Sequence, residues 1–334
     1  MARHEQLRCY GFLSDDGRWA HCTREERAGG LRTREGSNTY GHALEGHCPC
    51  GETHGQGQAR PPRPSGPARP EIPRADADVA DRIYARLLAA CPPSQEHRAY
   101  LTGPACGLPA RTLGDYGTLP AGDLQAGPTG ALAREFGPAL LLGVPGFVPG
   151  RGGLRVAGAG LLIAHRDARG LIRGMQVRAD GERDGGRYYW LSSAGAGGPG
   201  SGSPARVARP PRRRSKQQIW LTEGGKKAHI CAVLTQCTAV GIAGHQQVDS
   251  AREALEALVP EQALTLVIAL DEDLSPGTAA QVDASRLRLA AVAHELGYRT
   301  AVARWDPAQA KGIDDLLLGG GRGRISLLET EEED

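Results

Sequence analysis

Acidic side chains stand at the ends of two predicted strands in the C-terminal third of the chain. Glu223 closes the segment 218–224, and Asp271 and Asp273 follow the apolar run 264–270. Residues two apart in an extended chain point to the same side, so Asp271 and Asp273 present both carboxylates together. Carboxylates this close repel unless a cation lies between them, and hard oxygen ligands suit Mg²⁺ or Mn²⁺. Because Mg²⁺ keeps waters and recruits phosphate oxygens, we expect the chemistry of a phosphodiester or a nucleotide here.

A second acidic group follows further along the chain. Asp306 closes another predicted strand, and residues 311–315 read Lys-Gly-Ile-Asp-Asp. Here Lys311 offers a cation for a phosphate, and Asp314 and Asp315 offer further carboxylates. The alternative is that the two aspartates N-cap a helix that begins at residue 316. The sequence leaves both interpretations open.

The elements that would position these residues alternate between strand and helix. Strands joined by helices of ten or more residues indicate a mostly parallel sheet covered on both faces. Ligands of such sheets gather beyond the carboxyl ends of the strands, where the acidic residues stand. We predict strands at 218–224, 238–244, 264–273 and 299–306 and helices at 225–236, 250–259 and 279–298. Upstream, we predict a helix at 76–90, two strands within 159–180 joined by a turn at 167–170, and a third strand at 187–193.

Residues 222–228, TEGGKKA, followed by the Asp-x-Asp pair, resemble the Toprim domain of type IA topoisomerases, bacterial replicative primases and some nucleases. The resemblance covers about residues 217–320. Upstream, residues 158–178 and 187–193 look like the basic subdomain that precedes Toprim in bacterial primases. Smaller motifs extend the likeness to about 80–320, where the chain resembles DUF3854, a Toprim-related family of unknown function found in phage and plasmid replication proteins. These motifs are GVPGF at 143–147, Ser-Pro at 203–204 and KGIDD at 311–315.

The resemblance implies roles for individual residues. Glu223 would be the general acid or base, and Asp271 and Asp273 would hold the divalent ion. A carboxylate beside a metal and a phosphate accepts the proton of an attacking hydroxyl, while the cation neutralises charge that develops on the phosphate oxygens. Lys226 and Lys227 replace the aromatic and acidic residues that follow Glu-Gly in replicative primases, so this stretch is closer to the topoisomerase-like Lys-Ala ending.

Basic residues precede the acidic ones in sequence. Taken alone, a basic run is typical of a solvated linker. Next to a phosphodiester-type metal site, a basic run favours nucleic-acid binding. Arginine guanidinium groups bind phosphates through paired N–H donors, without reading the base sequence. The aromatic residues 188–190 add faces on which bases stack. We therefore predict binding of single-stranded DNA that weakens steeply with salt. The candidate contacts are Arg166, Arg173, Arg178, Arg187, Arg206 and Lys227.

The first 54 residues are rich in Cys and His. A turn at 15–17 between residues 10–14 and 18–23 predicts a hairpin, a common platform for zinc ligands. An N-terminal zinc module would agree with the primase resemblance. The alternative is a small unit with incidental thiols and no metal, because the spacing Cys-x-Cys departs from the usual Cys-x2-Cys. The predicted Zn²⁺ ligands are Cys22, Cys48 and Cys50, with His42 or His54 as the fourth.

The composition indicates several units joined by linkers. Gly (47) and Pro (23) make about a fifth of the 334 residues. The 40 basic and 38 acidic residues nearly cancel to +2, so the average charge says nothing about a nucleic-acid partner. No apolar run is long enough to span a membrane and the N-terminus is polar, so we expect a cytoplasmic protein. The expected parts are a Cys/His-rich module at 1–54, a Gly/Pro/Arg linker at 55–75, a helical segment with a basic β-rich subdomain at 76–216, the Toprim-like domain at 217–320 and an acidic tail at 321–334.

The expected fold class is α/β: a Toprim-like, mostly parallel sheet with helices on both faces, preceded by a small basic β-rich subdomain and a small Cys/His-rich unit. The expected function is that of a primase-like, DNA-binding replication protein of a phage or plasmid, a Mg²⁺-dependent nucleotidyltransferase that uses single-stranded DNA and nucleotides. The alternatives are a Toprim metal-dependent nuclease and a non-catalytic replication accessory protein that binds DNA. No G-x4-G-K-[ST] stretch occurs, so a helicase motor would be a separate protein.

Overall fold

A computed structural model of the chain divides into two units, Met1–Ala68 and Arg69–Asp334, which we describe separately. Among the residues that the structure describes, no helix combines the length and the apolar composition that crossing a membrane requires. The described residues are 11–13, 18–22, 31–32, 40–44, 47–48, 50, 72–120, 127–148, 153–154, 156, 158–181, 186–212, 217–258, 265–272 and 276–329.

Short strands pair in the first unit. They are β1 (Gly11–Leu13), β2 (Trp19–Cys22), β3 (Leu31–Arg32) and β4 (Tyr40–Ala43). All the pairs are antiparallel, in the order β1-β2-β4-β3. The pairing of β1 with β2 confirms the predicted hairpin. Because β2 also pairs with β4, the register places Cys22 opposite Tyr40 and His42 opposite Ala20.

The second unit begins with helices that cover a small antiparallel sheet of order β5-β6-β7-β8. Helix α1 buries Ile83, Tyr84 and Leu87 at helical spacing against Met175 and Val177 of β7. The helix and the three strands β6, β7 and β8 confirm the sequence interpretation, whereas the four-residue strand β5 is too short and Gly-containing to be read from periodicity. The helices are α1 (Ala77–Ala90), α2 (Gln95–Thr102), α3 (Pro128–Phe136) and α4 (Pro138–Leu142), and the strands are β5 (Tyr116–Leu119), β6 (Gly160–Arg166), β7 (Ile172–Ala179) and β8 (Tyr188–Trp190).

The C-terminal part of this unit is a sheet of order β14-β13-β12-β10-β11-β9. Its four inner strands are parallel and its two edge strands are antiparallel. The strands are β9 (Arg206–Ala208), β10 (Gln218–Glu223), β11 (Thr238–Ile242), β12 (Thr265–Ala269), β13 (Arg299–Arg304) and β14 (Ser326–Glu329). The helices are α5 (Gly225–Thr235), α6 (Val248–Leu258), α7 (Pro276–Glu295) and α8 (Ile313–Leu318). The expected α/β class, a mainly parallel sheet with helices on both faces, is confirmed.

Both limits of the sheet differ from the domain limits expected from the sequence. Strand β9 lies in the stretch expected to precede the Toprim-like domain, yet it pairs with β11 at one edge. Strand β14 lies in the expected acidic tail, yet it pairs with β13 at the other edge. Each is only three or four residues long, and Arg and Pro follow β9, so neither shows a readable alternation.

Side-chain alternation assigns each helix to one face of the sheet. Ile268 packs in a cluster with α6 and α7, and its neighbour Ala269 packs in a cluster with α5 and α8. Neighbouring residues in a strand point to opposite faces. The parity of β12 therefore directs Asp271 toward α5 and α8 and Glu272 toward α7.

The crossovers reverse direction between β10 and β12. From β10 the chain passes through α5 to β11 on one side, and from β12 it passes through α7 to β13 on the other side. Loops that leave adjacent strands in opposite directions open a crevice at the carboxyl ends of those strands. Open α/β sheets bind their ligands in such a crevice, so the fold itself indicates where the site lies.

Candidate active site

Three carboxylates meet at the crevice between β10 and β12. Glu223 ends β10, and Asp271 lies just beyond the end of β12. Thr222 pairs with Ala269 across the two strands, so both carboxylates stand at the same edge of the sheet. The backbone N–H of Asp271 donates a hydrogen bond to the Glu223 carboxylate. Asp314, in the first turn of α8, is only 3% exposed and shares a lysine with Asp271. Asp273, the second member of the expected metal pair, lies outside the described residues.

Lys227, in the first turn of α5, places its ammonium among these carboxylates. Its Nζ lies 2.6 Å and 2.5 Å from the two carboxylate oxygens of Asp271 and 3.8 Å from Asp314 Oδ1. The Nζ of Lys226 lies 3.8 Å from Asp314 Oδ2. Helix α5 follows Gly224, whose φ of +84° is a turn conformation that favours glycine. This turn brings both lysines to the ends of β10 and β12.

The charged groups of this centre shift one another's ionisation. Burial raises the pKa of Glu223, and the Asp271 carboxylate raises it further. Burial lowers the pKa of Lys227, but the Asp271 and Asp314 carboxylates outweigh that effect and hold the pKa above its ordinary value. Lys227 is therefore a permanent cation at neutral pH, and Glu223 is a better proton acceptor than an ordinary carboxylate.

The donor set fits a hard divalent cation. Glu223, Asp271 and Asp314 offer only oxygen ligands, which Mg²⁺ and Mn²⁺ prefer. The repulsion between Glu223 and Asp271 that raises the pKa of Glu223 is of the kind that a cation relieves. In the part of the chain that the structure describes, Asp314 Oδ1 is buried without a hydrogen-bond partner. Asp271 and Asp314 would therefore hold the ion, with the Glu223 carboxylate beside it.

Glu272 has a different role from its aspartate neighbour. Its carboxylate lies 3.1 Å from Arg286 Nη2 and 3.3 Å from Arg304 Nη1. Its backbone N–H donates to the carbonyl oxygen of Lys311 at 2.9 Å. Arg286 itself is only 3% exposed. We call Glu272, Arg286 and Arg304 the Glu272 clamp, because they fix the segment that bears Asp271 to α7 and β13.

The remaining acidic candidates separate into one site residue and two surface residues. Gly312 occupies the N-cap position of α8 without a side-chain cap, so the interpretation of Asp314 and Asp315 as N-caps is wrong. Asp314 faces the lysines, whereas Asp315 is exposed. Asp306 is exposed and accepts a hydrogen bond at 2.9 Å from the backbone N–H two residues on, which makes it a turn residue. Lys311 is exposed, and its charge opposes the rise in the pKa of Glu223.

Besides Lys227, three of the predicted DNA contacts, all arginines, are engaged in the protein's own ion pairs. The structure contradicts the prediction for Arg206, because the residue is 1% exposed and its Nη2 lies 2.9 Å from Asp115. A guanidinium this deeply buried needs a carboxylate partner inside the protein and offers nothing to a phosphate outside. Arg166 lies 2.6 Å from the same Asp115, and Arg173 pairs with Asp167 at 3.4 Å.

Aromatic and cationic side chains form a patch next to the acidic centre. We call Tyr100, Arg178, Tyr188 and Lys226 the Tyr100 patch. The guanidinium carbon of Arg178 lies 4.7 Å from the centre of the Tyr100 ring, and Lys226 Nζ lies 5.7 Å from it. Tyr188 is 40% exposed, and the adjacent Arg187 is also exposed. Because Lys226 also reaches Asp314, the patch is continuous with the acidic centre.

The first unit contains a separate group of potential metal ligands. The ligand atoms of His42, Cys48 and Cys50 lie within 4.8 Å of one another. Burial opposes ionisation of Cys48, but hydrogen bonds from Cys50 and from the Ala43 backbone lower the pKa of its thiol overall. A thiolate is the form that binds zinc. The structure does not test two further expected ligands. Cys22 lies on β2, but its side chain is outside the described part, and His54 lies outside the described residues.

Some residues of the site were not candidates in the sequence analysis. Glu272 carries a usable signal, because strand parity points it away from Asp271 and Asp273. Tyr100 and Lys226 carry no such signal in the sequence. They lie 126 residues apart, on α2 and α5, and become neighbours only when the chain folds.

Comparisons with known proteins agree with this architecture. The family described as "Domain of unknown function (DUF3854)" matches residues 212–323. No curated protein matches the chain. The Aquifex aeolicus primase (zinc binding and RNA polymerase domains) is similar with 16% identity and a TM-score of 0.51, over 74% of this chain and 60% of that one. The catalytic core of DnaG is similar with 15% identity and a TM-score of 0.50, over 74% of this chain and 76% of that one.

At these identities the likeness concerns the fold. The chain spans about 60% of the length of the Aquifex protein. The family match covers the sheet strands β10 to β13 and the helices that carry Lys227 and Asp314. Residues 212–323 thus match the DUF3854 family model, within a unit that has the fold of primase catalytic cores.

Proposed function

We propose that the chain is a primase-like replication protein of a phage or plasmid that binds single-stranded DNA and carries out Mg²⁺-dependent nucleotidyl transfer. The observation that carries this proposal is the convergence of Glu223, Asp271 and Asp314 at the crevice between β10 and β12. The Tyr100 patch adjoins these carboxylates, so groups suited to phosphates and bases lie next to groups suited to a metal. The fold shared with primase cores supports the same assignment.

Each acidic residue has its own part in the proposed reaction. A divalent ion, when bound, supplies positive charge to the phosphate oxygens at which negative charge develops. Asp271 and Asp314, together with Asp273, would hold that ion. Glu223 would accept the proton of the attacking hydroxyl, because its raised pKa makes it a better base than an ordinary carboxylate.

The Tyr100 patch would receive the nucleic acid or the nucleotide. The exposed ring of Tyr188 offers a face for base stacking. Arg178, Arg187 and Lys226 offer cations for phosphates, which position a strand without reading its sequence. Arg166, Arg173 and Arg206 have no part in this proposal because they are paired with carboxylates of the protein itself.

A metal-dependent nuclease is the second candidate function. Lys227 contacts Asp271 directly and is followed by Ala228, the Lys-Ala ending that replicative primases lack in the family resemblance. Cleavage needs the same carboxylates and the same ion as nucleotidyl transfer, with water as the nucleophile. A DNA-binding accessory protein that works with a separate helicase needs neither.

Primer synthesis tests the proposal. The full chain is given a single-stranded DNA template, ribonucleotides and Mg²⁺, and Glu223→Gln and Asp271→Asn are compared with the wild type. We expect the wild type to make primers and both variants to lose at least about 100-fold in rate. Asp306→Asn removes an acidic side chain outside the site and should keep the rate. DNA degradation without added nucleotides would identify the nuclease, and metal-independent binding with neither activity would identify the accessory protein.

We also propose that the first unit binds one Zn²⁺ ion through His42, Cys48 and Cys50 with a fourth ligand. The clustering of their ligand atoms and the lowered pKa of Cys48 support this assignment. Metal analysis of the purified protein should find about one equivalent of zinc, and Cys48→Ser should lose it. Cys91→Ser, which removes a buried thiol from the second unit, should retain it. Less than about half an equivalent in the wild type would reject the site.

A further inference from the structure

We infer that Lys227 is a built-in counter-cation of the acidic centre, which a divalent ion must displace in order to bind. Metal binding at this site is then an exchange of an ammonium group for a metal ion. The inference rests on the metal site of the proposed function and adds to it the step by which that site is opened.

The position of the ammonium group carries the argument. Lys227 Nζ is within hydrogen-bond distance of both carboxylate oxygens of Asp271 and lies 3.8 Å from Asp314 Oδ1. The side chains of Lys227, Asp271 and Asp314 are 25%, 15% and 4% exposed, so water screens this group weakly. A divalent ion held by the same two aspartates needs the space and the lone pairs that the ammonium uses.

The placement of Lys227 on its helix points to a function beyond helix stability. A cation in the first turn is opposed by the positive end of the helix dipole, and α5 has no acidic residue in that turn. The carboxylates that compensate this charge come from other elements, at the end of β12 and in α8. Lys227 therefore occupies a helix position that is electrostatically unfavourable, and there it meets the acidic centre.

The neighbouring backbone leaves room for the lysine head group. A Cβ added at Gly312 would lie 2.7 Å from Lys227 Nζ and 2.5 Å from Asp314 Oδ1, closer than real Cβ contacts allow. The lysine stem has four carbons joined by rotatable bonds, so its ammonium can move while α5 stays in place. Once displaced from Asp271, the ammonium remains at the crevice, where a phosphate oxygen offers it a new partner.

Manganese binding tests the exchange without depending on activity. Free Mn²⁺ is measured by electron paramagnetic resonance during titration of the full chain, for the wild type, Lys227→Met and Lys226→Met. We expect Lys227→Met to bind Mn²⁺ at least about tenfold more tightly, because the competing cation is gone. Lys226→Met removes a cation that lies equally near Asp314. The hydrogen bonds to both oxygens of Asp271 belong to Lys227, so this variant should change the affinity less than about threefold. Asp271→Asn should lose this Mn²⁺ site in every background.

Thermal unfolding provides a second measurement on the same variants. Without metal, Lys227→Met should melt at a lower temperature than the wild type, because Asp271 and Asp314 lose their counter-charge. Mn²⁺ should raise the melting temperature of Lys227→Met more than that of the wild type. Lys227→Gln, neutral and of similar length, replaces the methionine variant if that variant does not fold.

The outcomes separate the inference from the proposed function. Unchanged or weaker Mn²⁺ binding by a folded Lys227 variant would overturn the exchange and leave the metal site standing. Equal tightening by Lys226→Met would also overturn it, since the effect would then be one of net charge. Failure of the wild type and of all the variants to bind Mn²⁺ would overturn both the exchange and the proposed metal-dependent chemistry.

Discussion

Asp271 and Glu272, the neighbouring acidic residues after β12, have different roles. Asp271 faces α5 and α8 and meets Lys227, whereas Glu272 faces α7 and is held by two arginines. Strand alternation explains the division, because adjacent side chains leave an extended chain in opposite directions. One residue of the motif is therefore available to a ligand, and the next anchors the strand end.

The Glu272 clamp can be tested by removing its negative charge. Glu272→Gln leaves the buried guanidinium of Arg286 without one of its charged partners, and we expect a loss of about 2–4 kcal/mol in the free energy of unfolding. The remaining pair between Arg286 and Asp283, at 2.7 Å, keeps the loss below that of a fully unpaired charge. Urea unfolding measures the effect, with the exposed Asp306→Asn as the control. A loss below about 0.5 kcal/mol would contradict the clamp.

At the level of elements, the first turn of helix α5 determines where Lys227 lies in the site. Its first residue, Gly225, packs directly on the buried ring of His165 in β6, next to Arg206 of β9. The edge strand β9, the small antiparallel sheet and α5 therefore share one contact region. This packing sets the direction in which α5 leaves β10, and so the place that Lys227 reaches.

Gly225→Ala tests how tightly this junction is packed. The added Cβ would lie 2.7 Å from His165 Nε2 and 3.1 Å from Arg206 Cδ, so either α5 or the ring must shift. Overpacking of this kind costs about 1–3 kcal/mol. Gly244→Ala is a matched control, because a Cβ there meets nothing within 4 Å. If both variants melt at the temperature of the wild type, the junction is looser than the structure indicates.

At the scale of the whole molecule, the small net charge comes from many positive and negative side chains that lie in different places. The total of +2 combines buried ion pairs, an acidic centre and the partly exposed Tyr100 patch. Inside the second unit, Arg206 is a buried cation, and Asp115, Tyr116, His165 and His229 lie around it. Burial, together with the charge of Arg206, keeps both histidines neutral, which links the stability of this unit to pH.

Stability should fall as the solution becomes acidic. Burial, and then the Arg206 guanidinium, lower the pKa of both His165 and His229 to about 3. The unfolded chain takes up protons on these residues near pH 6.5, whereas the folded chain does so only near pH 3, so stability is present above pH 6.5 and is lost as the pH falls between these values. We expect each histidine to contribute a loss of about 1.4 kcal/mol between pH 7.5 and 5.5.

Chemical unfolding at the two pH values measures this loss. His229→Gln should remove about half of the combined contribution, while an exposed substitution such as Arg252→Gln should leave the pH dependence unchanged. A histidine variant with the same pH dependence as the wild type would show that the ring is not held neutral in the folded state.

The sequence by itself determined the α/β alternation and the positions of Glu223 and Asp271 at strand ends. Hydrophobic periodicity and strand parity are local properties, so they can be read along the chain. The same parity predicts that Asp271 and Asp273 point together, although Asp273 lies outside the described residues. The short edge strands β9 and β14 were not readable, because three or four residues hold too little periodicity.

Only the tertiary structure decided which charges neutralise one another. Asp271 and Lys227 are 44 residues apart, and Arg206 and Asp115 are 91 apart, so no local pattern couples them. The sequence pattern of Arg206 is that of a solvated basic run, and folding buries it against a carboxylate instead. Asp314 likewise became a site residue when α8 packed beside α5. Electrostatic partners depend on which elements become neighbours, and that is a property of the folded core.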